Sequence, residues 1–375
     1  MNNTLFNILY LISNILQGKI PEKEKIMEMD LNSLFQYAKK NSLTSIAAYA
    51  LESAGINDSD FQKEKNLAIR NIMVLDAERK RICRFLEDNK IWYMLLKGVH
   101  LKEYYPKIGM RQMCDNDILI DPDFIKTVDK WMLECGYSKH YDSKHDFSYL
   151  KEPCYNFEIH YALAADYHGH GWSEYYSNIK EKLIKKSDSS YEYKFTNEDF
   201  YIFLTLHEYK HYSNSGTGLR SLVDKYVYLS KFSDTMNWEY IREECTKLEI
   251  AEFEEKSRML AIKVFSAAEF PELTIEEQKM LNYYLDSGTY GNLFNKAVNE
   301  VEKVKAETGS SSKLRYLIRR VFPPMEVYKD LYPFFYKHKI LLPIGWAYRL
   351  FRGIFCKTNM IKSEMKVIRN MKKGL

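Results

Sequence analysis

The chain of 375 residues sets 55 Lys and Arg against 51 Asp and Glu, for a net charge of +4, and 46% of its residues are hydrophobic. That length predicts two or three structural units, and that apolar fraction is ordinary for a globular protein. No apolar run reaches the roughly 18 residues of a membrane-crossing helix, and six scattered cysteines without CxxC spacing exclude a disulfide framework and a thiolate zinc site.

The opening stretch from Leu5 to Leu16 is broken by Asn7, Ser13 and Asn14 and lacks a basic leader, so it reads as a helix of the fold. A reducing cytoplasm is the expected location. The charge is uneven: from Lys313 onward 15 basic residues face 3 acidic ones, leaving +12 there and −8 over the first 312 residues.

Residues 1–85 carry apolar positions at three and four spacing, as in Leu31, Leu34, Phe35 and Ala38, and form an N-terminal helical segment. Ile91 to Leu96 is a short apolar run stopped by Lys97-Gly98, which suits a buried strand. A short helix from Val99 to Tyr105 and a strand from Met113 to Ile120 follow. Phe124 to Glu134 has helical spacing, with Gly136 as its C-cap. Phe147 to Leu150 and Tyr155 to His160 read as strands, with Asn156, Glu158 and His160 on one face and Phe157 and Ile159 on the other. Thr196 to Asp199 and Thr274 to Glu277 are capping-box helix starts, and 307–312 is a linker. The units so defined are 1–85, a core at 86–190, a helical domain at 191–308 that closes a cleft, and a basic, aromatic helical region at 309–375.

Cys114-Asp115-Asn116-Asp117-Ile118-Leu119-Ile120 carries the chemistry. In a strand, Asp115 and Asp117 project from one face while Ile118 and Ile120 take the packed one. Two neighbouring carboxylates repel unless a cation sits between them, and a hard cation such as magnesium uses carboxylates together with substrate phosphates. An Asp-rich surface turn is the competing reading of so short a motif.

Leu96-Lys97-Gly98, Tyr104-Tyr105-Pro106, Arg111, Asp115-x-Asp117 and Phe157-Glu158-Ile159-His160 together resemble the bacterial uncharacterised nucleotidyltransferase family of the DNA polymerase beta-like superfamily. The resemblance runs on through His207-x-x-x-His211 and Arg220-x-x-x-Asp224 to Phe322-Pro323-Pro324 and Tyr332-Pro333. It departs at Asn116, where the family has an aliphatic residue, and at Lys97-Gly98-Val99, which replaces the superfamily's Gly-Ser. The resemblance implies an α+β fold, a small sheet core flanked by N-terminal helices and a larger C-terminal helical domain. It also implies transfer of a nucleotidyl group from a nucleoside triphosphate to an acceptor that the sequence does not name. Asp115, Asp117 and Glu158 would hold magnesium, with manganese as the alternative, and Lys97, Gly98, Arg111, His207, His211 and Arg220 would contact nucleotide or phosphate.

Other readings compete. A member of the fold that has lost catalysis and serves as a binding or regulatory module is the main alternative. His207-Glu208-Tyr209-Lys210-His211 matches the HExxH of zinc metallopeptidases but has no placed third ligand. His168-Gly169-His170 reads as a loop near the site entrance. The basic C-terminal region, with Trp346, Tyr348, Leu350 and Phe351 around Arg349 and Arg352, suits peripheral contact with an acidic membrane surface, and nucleic acid ranks behind it.

Overall fold

The computed structural model describes residues 3–113, 115–142, 145–164, 171–267, 269–308 and 332–356, with single positions between 318 and 328. The chain divides into two compact units, one of residues 1–209 and 219–285, the other of residues 210–218 and 286–375.

The first unit opens with helices α1 (Asn3–Leu16), α2 (Lys23–Met27), α3 (Leu31–Lys40) and α4 (Thr44–Ser53), followed by the 30-residue α5 (Ser59–Asp88). Asp30 and Asp58 start α3 and α5 as N-caps, each accepting backbone N–H bonds from the first turn. Next come β1 (Tyr93–Leu95), α6 (Gly98–Tyr104), β2 (Asn116–Ile120), α7 (Ile125–Glu134), β3 (Ser138–Asp142), β4 (Asp146–Lys151) and β5 (Tyr155–His160). Gly136, at φ 82°, ends α7 in the left-handed conformation expected of a glycine C-cap. Two single-turn helices, α8 (Trp172–Tyr175) and α9 (Ile179–Lys182), lead to β6 (Ile184–Lys185) and β7 (Glu192–Lys194). Helices α10 (Asn197–Tyr212), α11 (Leu219–Phe232), α12 (Trp238–Lys247), α13 (Ala251–Ser266) and α14 (Ile275–Ser287) follow.

The seven strands form one mixed sheet in the order β3-β4-β5-β2-β1-β7-β6, so the fold is α+β with a sheet core and helical flanks. Ile118 and Ile120 of β2 and Phe157 and Ile159 of β5 pack against Ile72, Leu75, Ile82 and Leu86 of α5 and Val128 and Met132 of α7. On the opposite side Leu119, Met94 and Leu96 meet Phe200, Phe203 and Leu204 of α10 and Tyr228 and Leu229 of α11. Each fully buried aliphatic or aromatic side chain in these layers contributes about 1.5–3 kcal/mol relative to exposure, so the alternation in β2 holds that strand's register firmly.

Thr196 caps α10, its Oγ1 accepting from Asp199 N at 3.0 Å, and the Thr274 box is complete, Thr274 and Glu277 exchanging bonds of 3.2 and 2.7 Å. The strand expected from Met113 begins instead at Asn116. β3, β6 and β7 were not legible as strands, because β3 and β6 are the polar edges of the sheet and β6 and β7 span only two and three residues.

In the second unit, Asn299 Nδ2 donates to the carbonyls of Tyr212 and Asn214, while Asn292 N donates to Ser215 O at 2.8 Å. These bonds tie the 210–218 turn to α15 (Leu293–Thr308). Thr308 ends α15 inside the segment expected to be a linker, and residues 309–312 lie outside the described residues. Helices α16 (Pro333–Lys337) and α17 (Leu342–Cys356) close the described chain. Ile344, Tyr348 and Phe351 line one exposed stripe of α17. Among the described residues, no helix is long and apolar enough to cross a membrane.

Candidate active site

β2 lies between β1, which is antiparallel to it, and β5, which is parallel. The parallel register sets Asp117 directly beside Glu158 and Asn116 beside Phe157. Alternation then turns Asp117, Glu158 and His160 to one face of the sheet, as their spacing implies. From the other neighbour, Leu96 N donates to Asp117 O at 2.9 Å, which brings the turn after β1 over the same carboxylate. That turn is strained: Lys97 has φ 21° and ψ −90°.

Lys97 Nζ stands 3.4 Å from Asp117 Oδ2 and 2.6 Å from His207 Nε2 on α10. An ammonium group only donates, so His207 Nε2 accepts. His160 Nε2 is 3.8 Å from Asp117 Oδ1 and 3.8 Å from Glu158 Oε2, while its Nδ1 is 3.9 Å from Asp146 Oδ2.

The carboxylates titrate apart. Burial opposes ionisation of Asp117, but Lys97 and His160 outweigh it and hold the carboxyl well below the usual range. Burial, and then the charge of Asp117, raise Asp115, against the pull of Lys97, Arg220 and Arg111. Burial followed by Asp117 and Asp115 pushes Glu158 up to about 7. The site therefore has one firmly ionised carboxylate and one poised to exchange a proton near neutrality.

Arg111, expected among the phosphate contacts, is paired with an acid. Its Nε and Nη2 grip Asp224 of α11 at 2.8 and 3.0 Å, and Tyr105 Oη donates to the same carboxylate at 2.6 Å. Burial works against the Arg111 charge and the Asp224 pair outweighs it. A Cβ at Gly98 would lie 2.9 Å from Arg111 Nη1 and 2.9 Å from Met113 Cε, so the missing side chain leaves room for these two side-chain ends, a role that the phosphate reading of the turn did not include. Arg220 Nη1 donates to Gln112 O at 3.2 Å, and its charge is felt at Asp115.

Asn116, where the family has an aliphatic residue, is fully buried, and Arg79 Nη1 of α5 donates to its Oδ1 at 2.7 Å. Arg79 pairs with Asp76 at 2.8 Å, so a polar residue is accommodated because a buried guanidinium reaches it from behind the sheet.

His207 faces Lys97, and His211 lies on the last turn of α10 in the second unit. Glu208, the general base of an HExxH peptidase, is buried with Lys225 at 2.7 Å and Tyr284 Oη at 2.6 Å. Its carboxylate is committed to an internal ion pair, which leaves the motif without a base. His168 and His170 lie outside the described residues.

The donor set fits a divalent cation. Asp117 Oδ1 and His160 Nε2 are buried without a hydrogen-bond partner, and Asp117, Glu158 and His160 each offer a ligand atom within 4.8 Å of the others. Buried polar atoms left unpaired are costly unless a ligand completes them. Asp115 is not one of these three, although its charge is felt at Glu158. His160 stood on the Glu158 face in the sequence, but no role was legible because its neighbours come from β2 and β4.

The position of Glu158 makes a pH prediction. A carboxyl raised to about 7 keeps its proton longer in the folded chain than in the unfolded one. Its contribution to stability is therefore greatest below the ordinary Glu value and is lost as pH rises through about 7. The melting temperature of cation-free protein should fall as pH rises from about 5 to about 8, less steeply in Glu158→Gln. Equal slopes in thermal melts of the two proteins would show that Glu158 is not the titrating group.

No curated protein and no solved structure matches the chain. A family model described as an uncharacterised nucleotidyltransferase matches residues 27–266, a span that takes in the whole sheet, Asp115, Asp117, Glu158 and the Arg111–Asp224 pair. With well over half of its length so matched, and with the paired carboxylates converging on one sheet face, the chain belongs to the uncharacterised nucleotidyltransferase family.

Proposed function

We propose that the chain transfers a nucleotidyl group from a nucleoside triphosphate to an acceptor hydroxyl in a magnesium-dependent reaction. The acceptor oxygen forms a bond to the α-phosphorus, the bond to the bridging oxygen of the β-phosphate breaks, and pyrophosphate leaves. The observation that carries this reading is the register that places Glu158 beside Asp117, with Lys97 against the Asp117 carboxylate. When bound, the cation would neutralise triphosphate charge and make the acceptor hydroxyl more acidic.

The chain's own residues account for the rest. Asp115 and Asp117 would hold the cation of the nucleotide, and Glu158, raised to about 7 in the cation-free chain, would act on the acceptor, through a second cation or by taking its proton directly. Lys97, steadied by His207, is the cation best placed for a phosphate oxygen, and Arg220 lies near Asp115 for a second contact. Arg111 acts through Asp224 by holding the Gly98 turn.

One observation favours the non-catalytic alternative: Lys97 already neutralises Asp117 from within the protein. Calorimetric titration with a non-hydrolysable nucleoside triphosphate, with and without magnesium, separates the two. Magnesium should be required for tight binding, and Asp115→Asn or Asp117→Asn should weaken it at least ~10²-fold, the upper scale for loss of a residue that supports a metal. Undiminished affinity in both variants would remove these residues from the site, and magnesium-independent binding would leave the binding-module reading standing.

A further inference from the structure

The proposed reaction gives no role to His160. Its Nε2 is buried, lacks a hydrogen-bond donor or acceptor in range, and points between two carboxylate oxygens at 3.8 Å each. Those separations are too long for hydrogen bonds. They suit an enclosed ion instead: two ligands each about 2.1 Å from a shared cation stand roughly 3 to 4 Å apart. Lys97 occupies Asp117 Oδ2, which leaves Oδ1, also without a partner, as the oxygen on this side.

The far side of the ring is arranged consistently. His160 is opposite Asp146 in the β4–β5 register, and its Nδ1 faces the Asp146 carboxylate at 3.9 Å. When a cation is bound, a carboxylate behind Nδ1 favours the tautomer that carries its proton there, so that Nε2 presents a lone pair to the ion.

We propose that His160 is the third ligand, beside Asp117 and Glu158, of a mixed nitrogen–oxygen site that prefers Mn²⁺ to Mg²⁺. The proposal rests on the nucleotidyltransferase reading for the use of the site, but the site itself is built from these three side chains. Mg²⁺ favours oxygen donors in strict octahedral geometry, whereas Mn²⁺, a softer first-row cation, also accepts an imidazole nitrogen. The nitrogen therefore supplies the discrimination.

The test uses the full chain, stripped of metal and without nucleotide. Titration with Mn²⁺, followed by electron paramagnetic resonance, and with Mg²⁺, followed by calorimetry, should show Mn²⁺ bound at least ~10-fold more tightly, with nitrogen hyperfine coupling from one imidazole. His160→Asn should abolish that coupling and cost Mn²⁺ roughly 10- to 100-fold in affinity while changing Mg²⁺ little. His160→Glu, which returns an oxygen donor, should shift the preference back toward Mg²⁺, and circular dichroism of both variants checks the fold. Wild-type Mn²⁺ bound without nitrogen coupling, or equal losses for the two metals, would overturn the proposal. Nitrogen-coupled Mn²⁺ in a protein that fails to bind nucleoside triphosphate would leave the site intact and sink nucleotidyl transfer. Tight nucleotide binding that needs Asp115 and Asp117, with oxygen-only Mn²⁺ signals, would do the reverse.

Discussion

Glu158→Gln is expected to keep most of the affinity for nucleotide and to lose about 10²-fold or more in turnover, the usual scale when a general base is removed. Glu158 lies at the β5 edge of the site, beside Asp117 in register, and is the carboxylate held near neutrality by burial and by the charges of Asp117 and Asp115. Asp117 is the opposite case, kept ionised by Lys97 and His160. Two carboxyls pushed apart in this way divide the work: the ionised one binds charge, and the poised one takes a proton. An interaction that matters only as the acceptor loses its proton lowers turnover without weakening the ground state. The measurement is pyrophosphate release with an acceptor found by screening, alongside a melting curve. Since Gln removes a repulsive charge, the variant should melt no lower than the wild type in the absence of metal. Wild-type turnover with a lowered melting temperature would make Glu158 a structural residue and end its assignment as the base.

Lys225→Met should destabilise the first unit by about 3–5 kcal/mol, the cost of stranding one partner of a buried ion pair. The Lys225 side chain is 0% and Glu208 3% exposed, with 2.7 Å between Nζ and Oε2. Ser257 Oγ and Tyr284 Oη complete the network, so removal of the ammonium leaves a carboxylate with no cation and no water. Urea unfolding followed by circular dichroism would read the loss. The double variant Lys225→Met with Glu208→Leu should recover much of it, because the penalty lies in the unpaired charge rather than in the missing attraction. A single-variant loss below about 1 kcal/mol would mean that Glu208 is solvated or otherwise paired, and would restore the base that a zinc peptidase needs. The same experiment thus decides between two meanings of the HExxH sequence.

The two outcomes differ in how far they were legible beforehand. HExxH is read from spacing on one helix, and spacing alone does not say which of its residues face solvent. Helix α10 is buried from Phe200 to Leu206 and again at Glu208, which is turned inward to meet α11, while His207 meets the β1 turn. Two adjacent residues of one motif therefore serve two different neighbours.

Patterns with a local cause were determined by the sequence itself. Alternation in β2 and β5 set Asp117 and Glu158 on the face away from Ile118, Phe157 and Ile159, because one burial face per strand leaves no other choice. The Thr196 and Thr274 caps and the Gly136 stop depend on bonds or backbone angles within a few residues. Only the tertiary structure decided the partners of the polar groups. Arg79 reaches Asn116 across 37 positions, Lys97 reaches His207 across 110, and Arg111 reaches Asp224 across 113. It likewise decided β3, β6 and β7, whose polar or very short segments become strands because a neighbouring edge offers them backbone bonds. Hydrophobic period is written residue by residue, whereas an ion pair or an edge strand exists only once folding has brought its partner within reach, and that partner leaves no mark on the local sequence.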